Sequence, residues 1–98
     1  MKLEFHPEAE LEFIETAVHY ERQVLGLGGR FEAEIRRATD LLLDQPNIGV
    51  PLNPDLRKFI LTRFPFTLYY SFTTEVLRIE AIAHQSRRPG YWKSRVDR

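Results

Sequence analysis

Residues 1–6 alternate apolar and polar side chains, Leu3 and Phe5 against Lys2, Glu4 and His6, which is the period-two pattern of a short half-buried strand. Pro7 has no N–H to give a strand ladder but suits the first turn of a helix. Over residues 8–25 the period becomes helical. Leu11, Ile14, Val18 and Leu25 recur on one side, flanked by Phe13, Ala17 and Val24, and this stripe is expected to face the core, with Glu8, Glu12, Glu15 and Arg22 opposite. Gly26, Gly28 and Gly29 interrupt the pattern, and so short a glycine-bearing break predicts an antiparallel helical hairpin. The second helix begins near residue 29, buries Phe31, Ile35, Ala38, Leu41 and Leu42, and stops before Pro46, which would cost it a backbone bond.

Residues 45–55 hold three prolines and a glycine and read as a connecting loop. Three β-rich runs follow, at 56–62, 66–72 and 76–84, with links too short for anything but antiparallel neighbours. The expected fold is α+β, in the order β-α-α-β-β-β over a single domain spanning residues 1–98: a small antiparallel β-sheet with an N-terminal α-helical hairpin packed on one face. Strand alternation then sorts the side chains. Phe59, Leu61, Phe66, Leu68, Tyr70, Phe72, Leu77, Ile79, Ala81 and Ala83 should meet the helices. Lys58, Tyr69, Arg78, Glu80 and His84 should stand on an open face, rimmed by Arg87, Arg88, Tyr91, Trp92 and Arg95.

Charge sharpens this picture. The chain is formally neutral, yet residues 1–55 carry 5 Lys/Arg against 11 Asp/Glu, a balance of −6, and residues 56–98 carry 9 against 3, a balance of +6. The C-terminal part therefore offers a basic surface, unless the two halves neutralise each other in space. Without cysteine there is no disulfide framework or thiolate metal site, and His6, His19 and His84 have no ligand spacing, so no metal or other cofactor is expected. No apolar run approaches the ~20 residues of a membrane span, and the N-terminus lacks a signal-peptide core. The expectation is a cytoplasmic protein with no membrane partner and no small-molecule substrate.

Three functions fit a polar, basic and aromatic face. Arg and Lys could neutralise phosphates while Tyr91 or Trp92 stacks on unpaired bases. A ribonuclease could use His84 or Glu80 as the base and an arginine to stabilise the developing phosphorane, provided these groups converge. Trp, Tyr and Arg are also the residue types most often found as anchors of protein interfaces.

The helix pair followed by Pro46, the Arg63-Phe64-Pro65 turn leading to Leu68-Tyr69-Tyr70, and above all the run His84-x-x-Arg87-x-Pro89-x-Tyr91-Trp92 give the chain a resemblance to the RelE/ParE superfamily of type II toxin-antitoxin toxins. It looks closest to the ParE-like branch. The resemblance implies a cognate antitoxin and a target that is DNA gyrase in ParE-like members, or mRNA on the ribosome in RelE-like ones. For the ribonuclease branch it would match Lys58, Arg87 and Tyr91 to catalytic positions, which with the Glu80 and His84 of the open face makes the candidate catalytic set. Thr67, however, stands where that branch tends to carry an arginine. For the ParE-like branch the target-binding candidates are His84, Arg87, Arg88, Tyr91, Trp92 and Arg95. Thr67 and the neutral net charge favour gyrase, and a binding module without toxicity is the third reading.

Overall fold

A computed structural model describes residues 1–96. Strand β1 (Lys2–Phe5) leads into helices α1 (Pro7–Gln23) and α2 (Leu27–Asp44), then a 3-10 turn (Pro46–Ile48) and strands β2 (Val50–Asn53), β3 (Leu56–Ile60), β4 (Phe66–Phe72) and β5 (Val76–His84). A single helical turn, α3 (Lys93–Val96), closes the described chain. The sheet runs β1-β5-β4-β3-β2; β1 lies parallel to β5 and the other pairs are antiparallel. The α+β plan with a helical hairpin before the strands is as the periodicity predicts.

The supposed loop at 45–55 contains a strand, so the sheet has five strands. Val50 and Pro51 pair with Lys58 and Arg57. At a sheet edge the missing N–H of Pro51 need not break the ladder, which is why a proline-rich run can pair there. The Arg57 guanidinium donates to the carbonyls of Asn47 and Gly49 and holds the approach to this strand.

Helix α2 buries Phe31, Ile35, Ala38 and Leu42 as its stripe predicts, whereas Leu41 is only half-buried and Leu43 packs against the core in its place. Helix α1 does not follow its stripe. Leu11, Ile14 and Val18 remain 55%, 49% and 43% exposed, while Ala9, Phe13, Ala17 and Tyr20 face the core. Aromatic reach and small size decide the rotation. The rings of Phe13 and Tyr20 lie 6.0 and 5.6 Å from Phe31, and Tyr20 reaches Phe64 at 5.2 Å. On the same side the hairpin closes tightly enough that a β-carbon on Gly28 would stand 2.5 Å from the Ala17 carbonyl oxygen.

Strand β5 carries a bulge. Tyr69 pairs with Ala81 and Tyr70 with Ile79, so Glu80 is the extra residue. Its insertion reverses the alternation beyond it. Leu77, Ile79 and Ile82 join the helix-side core, whereas Ala81, expected there, packs on the far face with Leu56 and Trp92. Ala83 moves the same way and lines a hollow with Tyr69 and Trp92. His84, expected on the open face, instead meets the core residue Phe66 edge-on at 5.0 Å.

Candidate functional site: the C-terminal segment on the sheet

Beyond β5 the chain turns sharply and comes back over the sheet. The His84 imidazole accepts the Ser86 N–H through Nδ1 at 3.0 Å and lies 2.7 Å from the Ser86 hydroxyl, while the Arg87 N–H donates to the His84 carbonyl. Gly90 takes a left-handed φ of 77°, a conformation that costs a residue with a β-carbon more. Tyr91 and Trp92 then reach the far face. Trp92 is only 6% exposed and packs on Tyr69, with ring centroids 4.3 Å apart and planes tilted by 33°. The face that alternation predicts to be open is thus partly covered by the chain's own C-terminal segment.

One carboxylate fastens this cover. The Glu12 Oε2 atom accepts the Tyr91 hydroxyl at 2.7 Å and Arg95 Nη2 at 2.8 Å; Oε1 accepts Arg95 Nη1 at 3.0 Å and the Ile82 N–H at 2.9 Å. The backbone bond exists because β1 pairs only with Val76 to Ile79, leaving the rest of the β5 edge to α1. Burial alone would raise the Glu12 carboxyl, but the bonds from Arg95, Ile82 and Tyr91 outweigh it and hold the group below its ordinary value. The Arg95 guanidinium is correspondingly raised, chiefly by its bond to Glu12. Burial, then the bond to Glu12, pushes the Tyr91 phenol well above its usual range. The acidic and basic halves of the sequence do meet here.

The candidate catalytic residues border three adjoining hollows. His84, Arg87 and Tyr91 border one of about 180 Å³ beside Thr67. Lys58 lines a second with Tyr69, Trp92 and Lys93. Glu80 lies in a third, where it accepts the Ser71 hydroxyl at 2.8 Å and sits 3.6 Å from Arg78. The acid and base candidates thus have protein partners: Nδ1 of His84 with Ser86, the Tyr91 hydroxyl with Glu12, and Glu80 with Ser71. Of the binding candidates, Trp92 and Arg95 are buried, His84 and Tyr91 half-buried, and Arg87 and Arg88 exposed. Arg87 is nevertheless held, its guanidinium carbon 3.9 Å above the Tyr91 ring.

A family model for the ParE toxin of type II toxin-antitoxin system, parDE, matches residues 3–89. The chain belongs to the ParE toxin family. A solved structure of the chromosomal ParDE TA system from P. aeruginosa shares its fold with a TM-score of 0.67 at 21% identity, over 86% of this chain and 95% of that one. No curated protein matches the sequence. Within this ParE-family chain, none of the described helices is long and apolar enough to cross a membrane. Glu12 lies inside the matched region, but its partners Tyr91 and Arg95 lie beyond it. Its role had no local sequence signal: periodicity puts it on the solvent side of α1, and its side-chain partners are 79 and 83 positions away.

Proposed function

We propose that this ParE-family chain is a toxin that inhibits DNA gyrase by protein binding through the turn at Arg87 and Arg88, and that a cognate antitoxin neutralises it. The place of action on this reading is the cytoplasm. The observation that carries it is the contrast within the site: Arg87 and Arg88 are exposed on a segment fixed to the sheet, while the acid and base candidates Glu80, His84 and Tyr91 already have protein partners. A general base must come within hydrogen-bond reach of the proton it removes, together with an acid and a charge stabiliser. Interface anchors, by contrast, profit from being held in place before the partner arrives.

For the antitoxin, the supporting feature is the exposed stripe of α1. Leu11, Ile14 and Val18 follow at helical spacing, with Glu8 and Glu15 along one flank and Glu10 and Glu21 along the other. An amphipathic helix with basic flanks complements this surface. Beside the stripe, Phe13, Ala17, Gly28 and Gly29 line a hollow of about 520 Å³ that could receive an apolar side chain of such a helix.

The deciding experiment assays the purified protein with gyrase, relaxed or supercoiled DNA and ATP, in parallel with mRNA on translating ribosomes. Loss of supercoiling or trapped double-strand breaks is the expected result. Unaffected gyrase together with cleaved mRNA would overturn the reading in favour of a ribonuclease.

A further inference from the structure

We infer that Glu12 is a positioning residue for the basic turn: from the first helix its carboxylate locks the C-terminal segment onto the sheet and sets the Arg87 guanidinium through the Tyr91 ring. What this says about activity rests on the proposed target-binding role of the turn; what it says about geometry does not.

The hydrogen bonds leave Glu12 little freedom. Its two oxygens receive four bonds from three groups, the Ile82 backbone, Tyr91 and Arg95, so helix, strand and C-terminal segment meet at one side chain. Arg95 also donates to the Glu80 carbonyl at 3.1 Å, which anchors the far side of the knot at the β5 bulge. Tyr91 is the link outward. Its hydroxyl is spoken for by Glu12, and its ring lies against Arg87 at 3.9 Å and near Arg95 at 5.2 Å. Two cations beside one ring repel each other, and the Glu12 charge next to Arg95 offsets that repulsion. The turn backbone closes by itself through Arg87 to His84 and Tyr91 to Arg88. The Arg87 side chain, however, is oriented by the ring, and the ring by Glu12.

A glutamine at position 12 keeps the size of the side chain but loses its charge and one acceptor oxygen, so whichever way the amide lies two of the four donors face an NH2 group. A phenylalanine at position 91 keeps the ring and removes only its tether. The test compares wild type, Glu12→Gln and Tyr91→Phe by NMR of the Arg87 side chain, whose protons above an aromatic ring are shifted upfield. Acrylamide quenching of Trp92, the one tryptophan, serves as a second probe. Both variants are expected to lose the upfield shift and to expose Trp92 to quencher. In the gyrase assay Glu12→Gln is expected to weaken inhibition about tenfold, in the range of an interface anchor, and adding Arg87→Ala should weaken it little further. An unchanged Arg87 shift in both variants would overturn the inference, and so would fully additive effects of Glu12→Gln and Arg87→Ala. If wild type leaves gyrase untouched, the target reading fails, while the NMR and quenching results still decide the positioning role. If Glu12→Gln does not fold, the same shift in Tyr91→Phe decides it.

Discussion

The Tyr70 hydroxyl accepts the Gly49 N–H at 3.0 Å and donates to the Pro46 carbonyl at 2.6 Å, so one core phenol ties down the turn that leads into the edge strand. A β-carbon on residue 49 would stand 2.5 Å from that hydroxyl and 2.8 Å from the Lys58 carbonyl, and the latter is backbone that cannot swing aside. Gly49→Ala should therefore destabilise the fold by about 1–3 kcal/mol through overpacking. Tyr70→Phe should cost a similar ~1–3 kcal/mol, because it strips partners from polar groups in the interior. Chemical denaturation of both variants checks this. A midpoint unchanged by either would mean that the turn is not anchored through Tyr70.

The rotation of α1 makes a contrast that periodicity alone would not predict. Ile35→Ala and Leu42→Ala, both in the core, should each cost ~2–5 kcal/mol. Ile14→Ala and Leu11→Ala on the exposed stripe should stay within about 0.5 kcal/mol of wild type. Comparable losses at Ile14 and Ile35 would put the stripe back in the core and reverse the orientation.

Trp92 shows why side-chain type alone misleads about role. In sequence it is an attractive binding anchor; in the fold it is a core residue of the far face. Trp92→Ala should lower stability by roughly 3–5 kcal/mol, whereas Arg88→Ala, exposed on the turn, should leave the denaturation midpoint in place. Equal midpoints for the two would show that the segment does not cover the sheet.

Acid should loosen the cover. The Glu12 carboxyl is lower in the folded chain than its ordinary 4.5, so its contribution to stability is complete above the unfolded value and is lost as pH falls through the folded one. Glu34, lowered chiefly by its bond to Arg37, acts in the same direction. Stability should thus decline below about pH 5 in wild type. It should decline less steeply in Glu12→Gln and in Glu34→Gln, with Trp92 emission following the Glu12 component. Parallel acid limbs for wild type and Glu12→Gln would remove Glu12 from the linkage.

How far the sequence reveals this molecule depends on whether a signal is local. Helix α2 is legible because Phe31, Ile35, Ala38 and Leu42 recur on one face, with no rival aromatic set to draw it round. Helix α1 has two candidate faces, and counting aliphatic residues selects Leu11, Ile14 and Val18, while the reach of Phe13 and Tyr20 selects the other. Strand β2 is hidden by Pro51 and Gly49, whose loop chemistry is real but whose pairing depends on Arg57 and Tyr70 beyond the stretch itself. The bulge at Glu80 has no composition of its own, yet it moves Ala81, Ala83 and His84 across the sheet. The run from His84 to Trp92 is legible as a motif; the carboxylate that fixes it is not, since Glu12 and Arg95 are brought together only by the fold.

The exposed stripe supplies the last prediction, which separates neutralisation from toxicity. Changing Ile14 and Val18 together to Glu puts two more carboxylates on a surface already bordered by Glu10, Glu15 and Glu21, where a helix with basic flanks would still be attracted by charge but would lose its apolar seat. Truncating an interface anchor commonly costs about 2 kcal/mol or more, so even one such loss should weaken the complex with the cognate antitoxin by roughly thirtyfold. Stability should be nearly unchanged, because neither residue is in the core. The turn at Arg87 and Arg88 is left intact. A cell carrying the double variant should thus remain sensitive to the toxin even when the antitoxin is co-expressed. Full rescue by the antitoxin, with an unaltered affinity in titration calorimetry, would move the antitoxin away from α1 and leave the stripe without its proposed partner.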